Sequence, residues 1–378
     1  MSKILHLCPY YYPSIGGVET FCQEIALRTS RLDHDVEIIT QKVQGLKDYE
    51  EVDGVKIHRI RPLLGVYKAK VMPNIHKKIQ EIQPDVIHIQ GPAPGMMEFA
   101  LQSSNARIIM TAHNDLSGNE STIYKTISAA YRLLIFSKIR SKLDKLILPS
   151  ESYKYNSKLF KGFPPEKISI IPNGVDLEKF SPGKKSKDEC KRGLGINSKF
   201  LVLFVGSMEP LHAYKGVEYL LDAIRNVKGV DTMYCLVGEG DLKKRYIEKA
   251  KEIGITDKVR FAGKVDTDTL VQYYRAADVF VLPSVSTEVM PIVMLEAMAC
   301  GTPVITTRIH GPMEMIQEGY IGYLVEPKDS VGLARTIVNT LLDESTLAQM
   351  QKNARKEAED KYSWDIILKK YLEEYGII

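Results

Sequence analysis

The chain has 378 residues and a mass of 42.6 kDa, a length that predicts two domains. Charged residues make up 26% and hydrophobic residues 44%, which is typical of a folded protein and excludes disordered, collagen-like and disulfide-scaffold classes. The cysteines are scattered and form no Cys-x-x-Cys pair, so they indicate a reducing, cytoplasmic compartment. No apolar run reaches the ~18 residues of a membrane span.

The net charge of +4 is unevenly distributed. Residues 1–180 carry 24 Lys and Arg against 19 Asp and Glu, whereas residues 181–378 carry 27 against 28. The basic surplus therefore lies in the first half of the chain.

Short apolar segments alternate with longer helical segments in both halves. Runs of β-branched residues without polar alternation, such as Asp85-Val86-Ile87-His88-Ile89, are typical of parallel strands buried on both faces. The alternation predicts βαβ units and two open α/β sheets. The predicted strands are Ile4–Cys8, Val36–Thr40, Val55–Arg59, Val86–Gln90, Ile108–Ala112, Leu146–Pro149 and Ile168–Ile171, then Leu201–Val205, Thr232–Val237, Val259–Ala262, Val279–Leu282, Val304–Thr306 and Tyr323–Val325.

The boundary between the domains is predicted near residue 180. A strand ends in the turn Pro172-Asn173-Gly174, and the polar run Ser181–Lys187 follows it. We therefore expect domains at residues 1–180 and 181–360, with an amphipathic C-terminal helix within 361–378. In open parallel sheets, ligands bind at the carboxyl ends of the strands, so functional residues are expected there.

The strongest pattern is the segment Ser286–Ile305, which follows a predicted strand. It carries Glu288 in a loop and Glu296 on a helix that Gly301 and Pro303 would end. Loop amides and a helix N-terminus suit an anion such as a diphosphate, and two carboxylates suit sugar or ribose hydroxyls. From the spacing alone, Glu296 on an ordinary helix is an equal alternative.

The same segment resembles the Glu-x7-Glu element of retaining family 4 glycosyltransferases of the GT-B fold. Other motifs of that family occur in the family's order over nearly the whole chain: Tyr12–Glu19, Ile171–Asp176, Phe204–Gly206 with Lys215-Gly216, Leu236–Gly240 and Gly322–Val325. The resemblance implies two Rossmann-like α/β domains facing across a cleft, with the C-terminal helix packing back on the first. It implies an acceptor-binding first domain, a second domain for a UDP- or GDP-sugar donor, and no metal or other cofactor.

The resemblance also assigns roles to single residues. Lys215 would stabilise charge on the departing diphosphate, Glu288 would contact the transferred sugar, and His113 would orient that sugar rather than act as a free base. Glu296 would bind the ribose hydroxyls. The donor-binding residues implied in this way are Gly16, Gly17, Gly206, Ser207, Lys215, Val289, Met290, Pro291, Ile292 and Glu296.

Two departures from the family pattern keep other functions open. Ser207 stands where the family usually has an arginine, and Val289-Met290-Pro291 replaces a glycine–aromatic–glycine stretch. One alternative is a catalytically degenerate sugar-nucleotide-binding module, which would bind nucleotide without turnover. Another is a nucleotide-sugar epimerase or hydrolase on the same fold, which would consume donor without an acceptor.

Two further patterns imitate known sites. Asp266-Thr267-Asp268 resembles a metal-binding Asp-x-Asp motif, but it precedes a helical segment, which favours an N-cap. Gly238-Glu239-Gly240 follows a strand, yet the third glycine of a dinucleotide fingerprint is missing.

The segment Ser121–Lys145 is basic and amphipathic. Such helices lie on anionic membrane surfaces, so the segment favours peripheral contact with the inner face of the cell membrane and a lipid-borne acceptor. A core-packing helix with a solvated basic face is an equal alternative, and a saccharide acceptor stays open. Nucleic acid is disfavoured as a partner because no aromatic-stacking or zinc motif accompanies the charge. The basic residues are Lys125, Arg132, Lys138, Arg140, Lys142 and Lys145, against the single acid Asp144.

Overall fold

The structure, a computed structural model, describes all residues except 14–15, 67–68, 102–104, 115–125, 127–128 and 287. The chain forms two compact units. The first contains Met1–Asn173 together with Asp365–Ile378, and the second contains Gly174–Trp364. The chain thus passes from the first unit to the second at the Asn173–Gly174 bond, within the predicted Pro-Asn-Gly turn.

The first unit is built on an eight-stranded sheet with the order β10-β9-β8-β7-β1-β2-β4-β3. Its strands pair in parallel except β3 with β4, and β5 with β6 forms a separate antiparallel hairpin. Every strand predicted in this half is present. The strands are β1 (Lys3–Leu7), β2 (Asp35–Gln41), β3 (Tyr49–Val52), β4 (Val55–Ile60), β5 (Leu64–Val66), β6 (Ala69–Val71), β7 (Val86–Gly91), β8 (Arg107–Ala112), β9 (Lys145–Leu148) and β10 (Ile168–Ile170).

Helices flank this sheet where amphipathic segments follow the strands. The predicted basic segment is described in part, and its described residues form a π-helical turn at Arg132–Phe136 that runs into a helix. Residues 121–125 and 127–128 of that segment, including Lys125, lie outside the described residues. The helices are α1 (Gly17–Ser30), α2 (Ile75–Ile82), α3 (Met97–Ala100), α4 (Ser137–Lys142) and α5 (Glu151–Asn156).

The second unit is built on a six-stranded, fully parallel sheet with the order β13-β12-β11-β14-β15-β16. All six predicted strands are present, and β11 is buried at every position, as its unbroken apolar sequence requires. The strands are β11 (Phe200–Val205), β12 (Thr232–Val237), β13 (Val259–Gly263), β14 (Val279–Leu282), β15 (Val304–Thr307) and β16 (Gly322–Val325). The helices are α6 (Lys187–Gly193), α7 (Val217–Asn226), α8 (Lys243–Glu252), α9 (Thr267–Ala276), α10 (Ile292–Ala299), α11 (Pro312–Met315), α12 (Ser330–Leu342) and α13 (Glu344–Tyr362).

The last helix, α14 (Trp364–Tyr375), returns to the first unit from Asp365 onwards. Tyr371 and Tyr375 are buried there, and the Arg107 side chain at the start of β8 donates to the Glu374 carbonyl at 2.8 Å. The end of the chain therefore completes the core of the domain that begins it. Within the described part of the chain, no helix combines the length and the apolarity that crossing a membrane requires.

Candidate active site

Lys215 and Glu288 form an ion pair at the carboxyl ends of β11 and β14. The Lys215 Nζ lies 2.8 Å from Glu288 Oε1, and the Ser284 hydroxyl donates to the same oxygen at 3.0 Å. Glu288 is only 8% exposed, and 14% of the Lys215 side chain is accessible. The two catalytic residues implied for this half of the chain are therefore in direct contact.

The loop after β11 is held against the loop after β14. Lys215 ends a 3-10 helix, and Gly216 follows with a φ of +75°. A Cβ atom on Gly216 would overlap the Pro283 carbonyl oxygen, so the position requires glycine for both its conformation and its packing. The Val285 amide also donates to the Tyr214 carbonyl at 2.7 Å. These contacts place Lys215 beside Glu288.

Gly206 and Ser207 are the first two residues after β11. A Cβ atom on Gly206 would come within 2.9 Å of the Lys215 Cδ, so the absence of a side chain makes room for the lysine stem. The Ser207 hydroxyl accepts a hydrogen bond from the Glu209 amide at 3.3 Å. Ser207 therefore supports its own loop and supplies no positive charge where the family usually has an arginine.

The segment Val289–Ile292 leads from Glu288 into α10. Met290 and Pro291 are buried, and Pro291 is the N-cap of the helix. No described side chain caps this N-terminus, so its first amide groups remain available to an anion. Gly311, with a φ of +89°, packs so tightly against the Glu288 and Val289 carbonyls that a Cβ atom would overlap both.

Glu296 is on α10 and contacts Tyr274 of α9. The Tyr274 hydroxyl donates to Glu296 Oε2 at 2.7 Å. Burial raises the pKa of Glu296 to about 7, although the hydrogen bond from Tyr274 and the charge of Lys179 oppose the shift. Near neutral pH this carboxyl is thus divided between its charged and protonated forms.

The glycine loop of the first unit leads into α1. Gly16 is the extended N-cap of that helix, Gly17 is its first residue, and residues 14–15 of the loop lie outside the described residues. The Glu19 carboxylate lies so close to Gly16 that a Cβ atom there would overlap it, and burial raises the pKa of Glu19. Any side chain at position 16 would therefore require the Glu19 side chain to move.

His113 follows β8 directly, at the carboxyl end of the strand. Its Nε2 lies 2.8 Å from Gln90 Oε1, and its ring meets the Phe21 ring edge-on at 5.0 Å between centroids. Burial lowers the pKa of His113 to about 3. The imidazole is therefore neutral throughout the physiological range.

Sequence reasoning missed several residues that hold the site together. Ser284 bonds to Glu288, Tyr274 to Glu296, and Gln90 to His113. Only Gly311 left a local signal, because the Gly311-Pro312 pair is a turn signature. The others lie on neighbouring strands or helices, and their contacts depend on the order of strands in each sheet.

The Asp266-Thr267-Asp268 motif has the structural role that its position before a helix favours. The Asp266 carboxylate accepts a hydrogen bond from the Thr269 amide at 2.8 Å and caps α9. The prediction of an N-cap is confirmed.

Comparison with known proteins identifies the family. A model of Glycosyltransferase Family 4 matches residues 15–179, and a model of Glycosyl transferases group 1 matches residues 186–357. An uncharacterized glycosyltransferase of Methanocaldococcus jannaschii is 29% identical over 99% of this chain and 98% of its own length. A D-inositol 3-phosphate glycosyltransferase of Geodermatophilus obscurus is 33% identical over 96% of this chain and 85% of its own length.

Solved structures agree on the fold. The Anabaena protein HepE, determined with UDP and glucose, superposes with a TM-score of 0.82 at 21% identity, and all of both chains is covered. The two Rossmann-like sheets described above are those of GT-B glycosyltransferases. The chain belongs to the family 4, group 1 glycosyltransferases and is an enzyme that transfers sugars.

Proposed function

We propose that the protein transfers a hexose from a UDP- or GDP-sugar to a hydroxyl group, with retention at the anomeric carbon. The observation that carries the proposal is the buried Lys215–Glu288 pair at the carboxyl ends of β11 and β14. A cation held in this way can meet the charge that develops on a departing diphosphate, which is usually the largest catalytic effect available.

Other groups of the second unit fit the rest of a nucleotide. The uncapped N-terminus of α10 directs amide groups toward an anion, and Glu296 in its second turn offers carboxylate oxygens to ribose hydroxyls. HepE, a structural neighbour, was determined with UDP. These features support a nucleoside diphosphate as the donor's leaving group.

The state of His113 supports a positioning role. An efficient general base has a pKa near the working pH, whereas that of His113 is lowered to about 3. We therefore assign His113 to the donor sugar. In the retaining reaction implied by the family, the acceptor hydroxyl attacks the face that the diphosphate leaves, and a diphosphate oxygen takes the proton.

A thermal-shift panel of UDP, GDP, ADP, TDP and NAD tests the donor assignment. A ligand at 100 times its Kd stabilises a protein by about 2.7 kcal/mol, which raises the Tm of a domain of this size by roughly 5–10 °C. We expect UDP or GDP to stand out, and then its sugars to be transferred. Stabilisation by NAD alone would refute the proposal. Binding without turnover would favour the degenerate module, and turnover without an acceptor would favour the epimerase or hydrolase.

We also propose that the acceptor is presented at an anionic membrane surface. Leu133 and Leu134 are 69% and 67% exposed, and Ile135 is exposed beside them, while Phe136 and Ile139 of the same segment pack inward. A segment that only packed on the core would not leave its leucines in water. Exposed leucines within a basic segment match the chemistry of a negatively charged lipid surface. The neighbouring basic residues are Arg132, Lys138, Arg140 and Lys142.

Co-sedimentation with anionic vesicles at low and high salt tests this assignment. The double change Leu133→Ser and Leu134→Ser should abolish binding. Leu342→Ser is the matched control, because Leu342 is 60% exposed but is followed by Asp343 and Glu344. Absence of wild-type binding at low salt, or equal binding by both variants, would refute the membrane assignment while leaving the donor assignment intact.

A further inference from the structure

A layer of polar side chains lies on one face of the first unit's sheet, next to His113. His6 of β1 is in register with His88 of β7, and Gln90 of β7 is in register with Thr111 of β8. Alternate residues of a strand share a face, so all four side chains point to the same side of the sheet. All four are buried, with at most 2% of their surface exposed.

Two tyrosines of α14 join this layer. The Tyr375 hydroxyl lies 2.7 Å from His88 Nδ1, and His88 Nε2 lies 2.7 Å from the Thr111 hydroxyl, which is 3.1 Å from the Tyr371 hydroxyl. Both His88 ring nitrogens are therefore engaged. Through these bonds the last helix of the chain fixes the polar layer.

Gln90 connects the layer to His113. Its amide nitrogen lies 3.3 Å from His6 Nδ1 and 3.4 Å from His88 Nδ1, and its carbonyl oxygen lies 2.8 Å from His113 Nε2. The Gln90 amide nitrogen therefore faces the Nδ1 atoms of His6 and His88, whereas its carbonyl oxygen faces the Nε2 atom of His113.

The proton positions follow from the chemistry of these groups. Burial lowers the pKa of His6 and of His113 to about 3, and it lowers that of His88 well below its usual value, so each ring carries one N–H and one lone pair. In the orientation that the structure gives the Gln90 amide, its carbonyl oxygen faces His113 and can only accept, so His113 carries its proton on Nε2. The Gln90 amide group only donates, so His6 and His88 must accept at Nδ1. The single lone pair of His88 Nδ1 is shared between this contact and the shorter one from the Tyr375 hydroxyl, and His88 donates from Nε2 to Thr111. The proton of His6 then lies on Nε2, which has no hydrogen-bond partner among the described residues.

We propose that Gln90 is a positioning residue that holds His113 as the neutral Nε2–H tautomer and leaves the Nδ1 lone pair for the donor sugar. The inference rests on the role of His113 in the proposed function.

The tautomer can be measured without any activity. In protein labelled with 15N-histidine, long-range 1H–15N spectra distinguish the protonated from the unprotonated ring nitrogen, and His113→Gln identifies the His113 signals. We expect a protonated Nε2 in the wild type and a mixture of tautomers in Gln90→Leu. Tyr375→Phe is the matched control, because it removes a bond of the same layer and leaves the Gln90–His113 contact in place. A wild-type His113 protonated on Nδ1 would overturn the proposal.

Kinetics then test the positioning role. With a hexose donor, kcat should fall about tenfold in Gln90→Leu, the effect of one misplaced hydrogen bond, with little change in KM for the donor. An unchanged kcat in a variant whose His113 signals have changed would overturn the role. Absence of transfer by a wild type with the expected tautomer would instead refute the proposed function.

Discussion

For the Lys215–Glu288 pair, we predict that substitutions of the two residues change nucleotide affinity in opposite directions. If Lys215 binds the diphosphate, a phosphate oxygen must share Nζ with the Glu288 carboxylate. Charge-assisted bonds of this kind are about 2.8 Å long. A phosphate oxygen and a Glu288 oxygen that both contact Lys215 Nζ therefore lie no more than twice that distance apart. At that separation, two unit charges repel by about 3 kcal/mol at an effective dielectric constant of about 20.

Glu288→Gln removes this repulsion and keeps an oxygen that can accept from Lys215 and Ser284. The diphosphate charge is spread over several oxygens, so we expect about half of the full effect, which is roughly tenfold tighter nucleotide binding. Transfer should nevertheless fall by about 100-fold or more, because the contact with the sugar is lost. A variant that merely misfolds would not bind more tightly.

Lys215→Met is the opposing variant. It should weaken nucleotide binding at least about tenfold, since a charged hydrogen bond is worth about 1.5–3 kcal/mol. It should also destabilise the unliganded protein by about 3–5 kcal/mol, because it strands the buried Glu288 carboxylate. The double variant with Glu288→Gln should recover stability but not binding.

Titration calorimetry with the nucleoside diphosphate selected by the thermal-shift panel measures nucleotide binding by the wild type and the three variants, and denaturant unfolding measures their stability. The binding of the diphosphate by Lys215 against the charge of Glu288 is refuted if Glu288→Gln weakens nucleotide binding as much as Lys215→Met does. That result would mean that Glu288 itself holds the nucleotide, or that the pair only stabilises the fold.

Two further predictions concern Glu296 and Gly216. Ribose hydroxyls donate to an ionised Glu296, so nucleotide affinity should rise with pH up to the Glu296 pKa of about 7 and then level off. Calorimetry should show that Glu296→Gln loses this rise in affinity. The pH dependence that comes from titration of the nucleotide itself should remain in the variant. Gly216→Ala should unfold at clearly lower denaturant than Gly229→Ala, since both glycines have a φ near +75° but only Gly216 abuts the Pro283 carbonyl. Equal destabilisation would mean that the Pro283 contact contributes nothing.

Strands such as β11 and β14 were predictable because their sequences are unbroken apolar runs, a pattern that burial on both faces requires. Strands β3, β5 and β6 were missed. Of these, β3 has the polar sequence Tyr-Glu-Glu-Val and lies at the sheet edge, where no such run is needed. Its signal was the following Asp53-Gly54 pair. Both residues have positive φ angles of 52° and 79°, which is the conformation of a tight hairpin turn.

The candidate site was predictable only where the chain itself carries a motif. Lys215 and Glu288 were both identified, but their contact was not, because it depends on β11 lying beside β14 in the sheet. The same holds for Gln90 and His113, which meet because β7 and β8 are neighbours. Local sequence determines which segments become strands, whereas the order of strands is set by the packing of the whole domain.

The pKa of His113 gives a last prediction about how the reaction is driven. A base with a pKa of about 3 does not change its charge between pH 6 and 9, so it cannot produce a pH dependence there. His113→Gln should therefore lower kcat while leaving the shape of the pH–rate profile in this range unchanged. A general base would behave differently, since its loss would remove the limb of the profile that it causes. If a limb disappears in His113→Gln, the imidazole takes the acceptor's proton, and the assignment of that proton to the departing diphosphate is wrong.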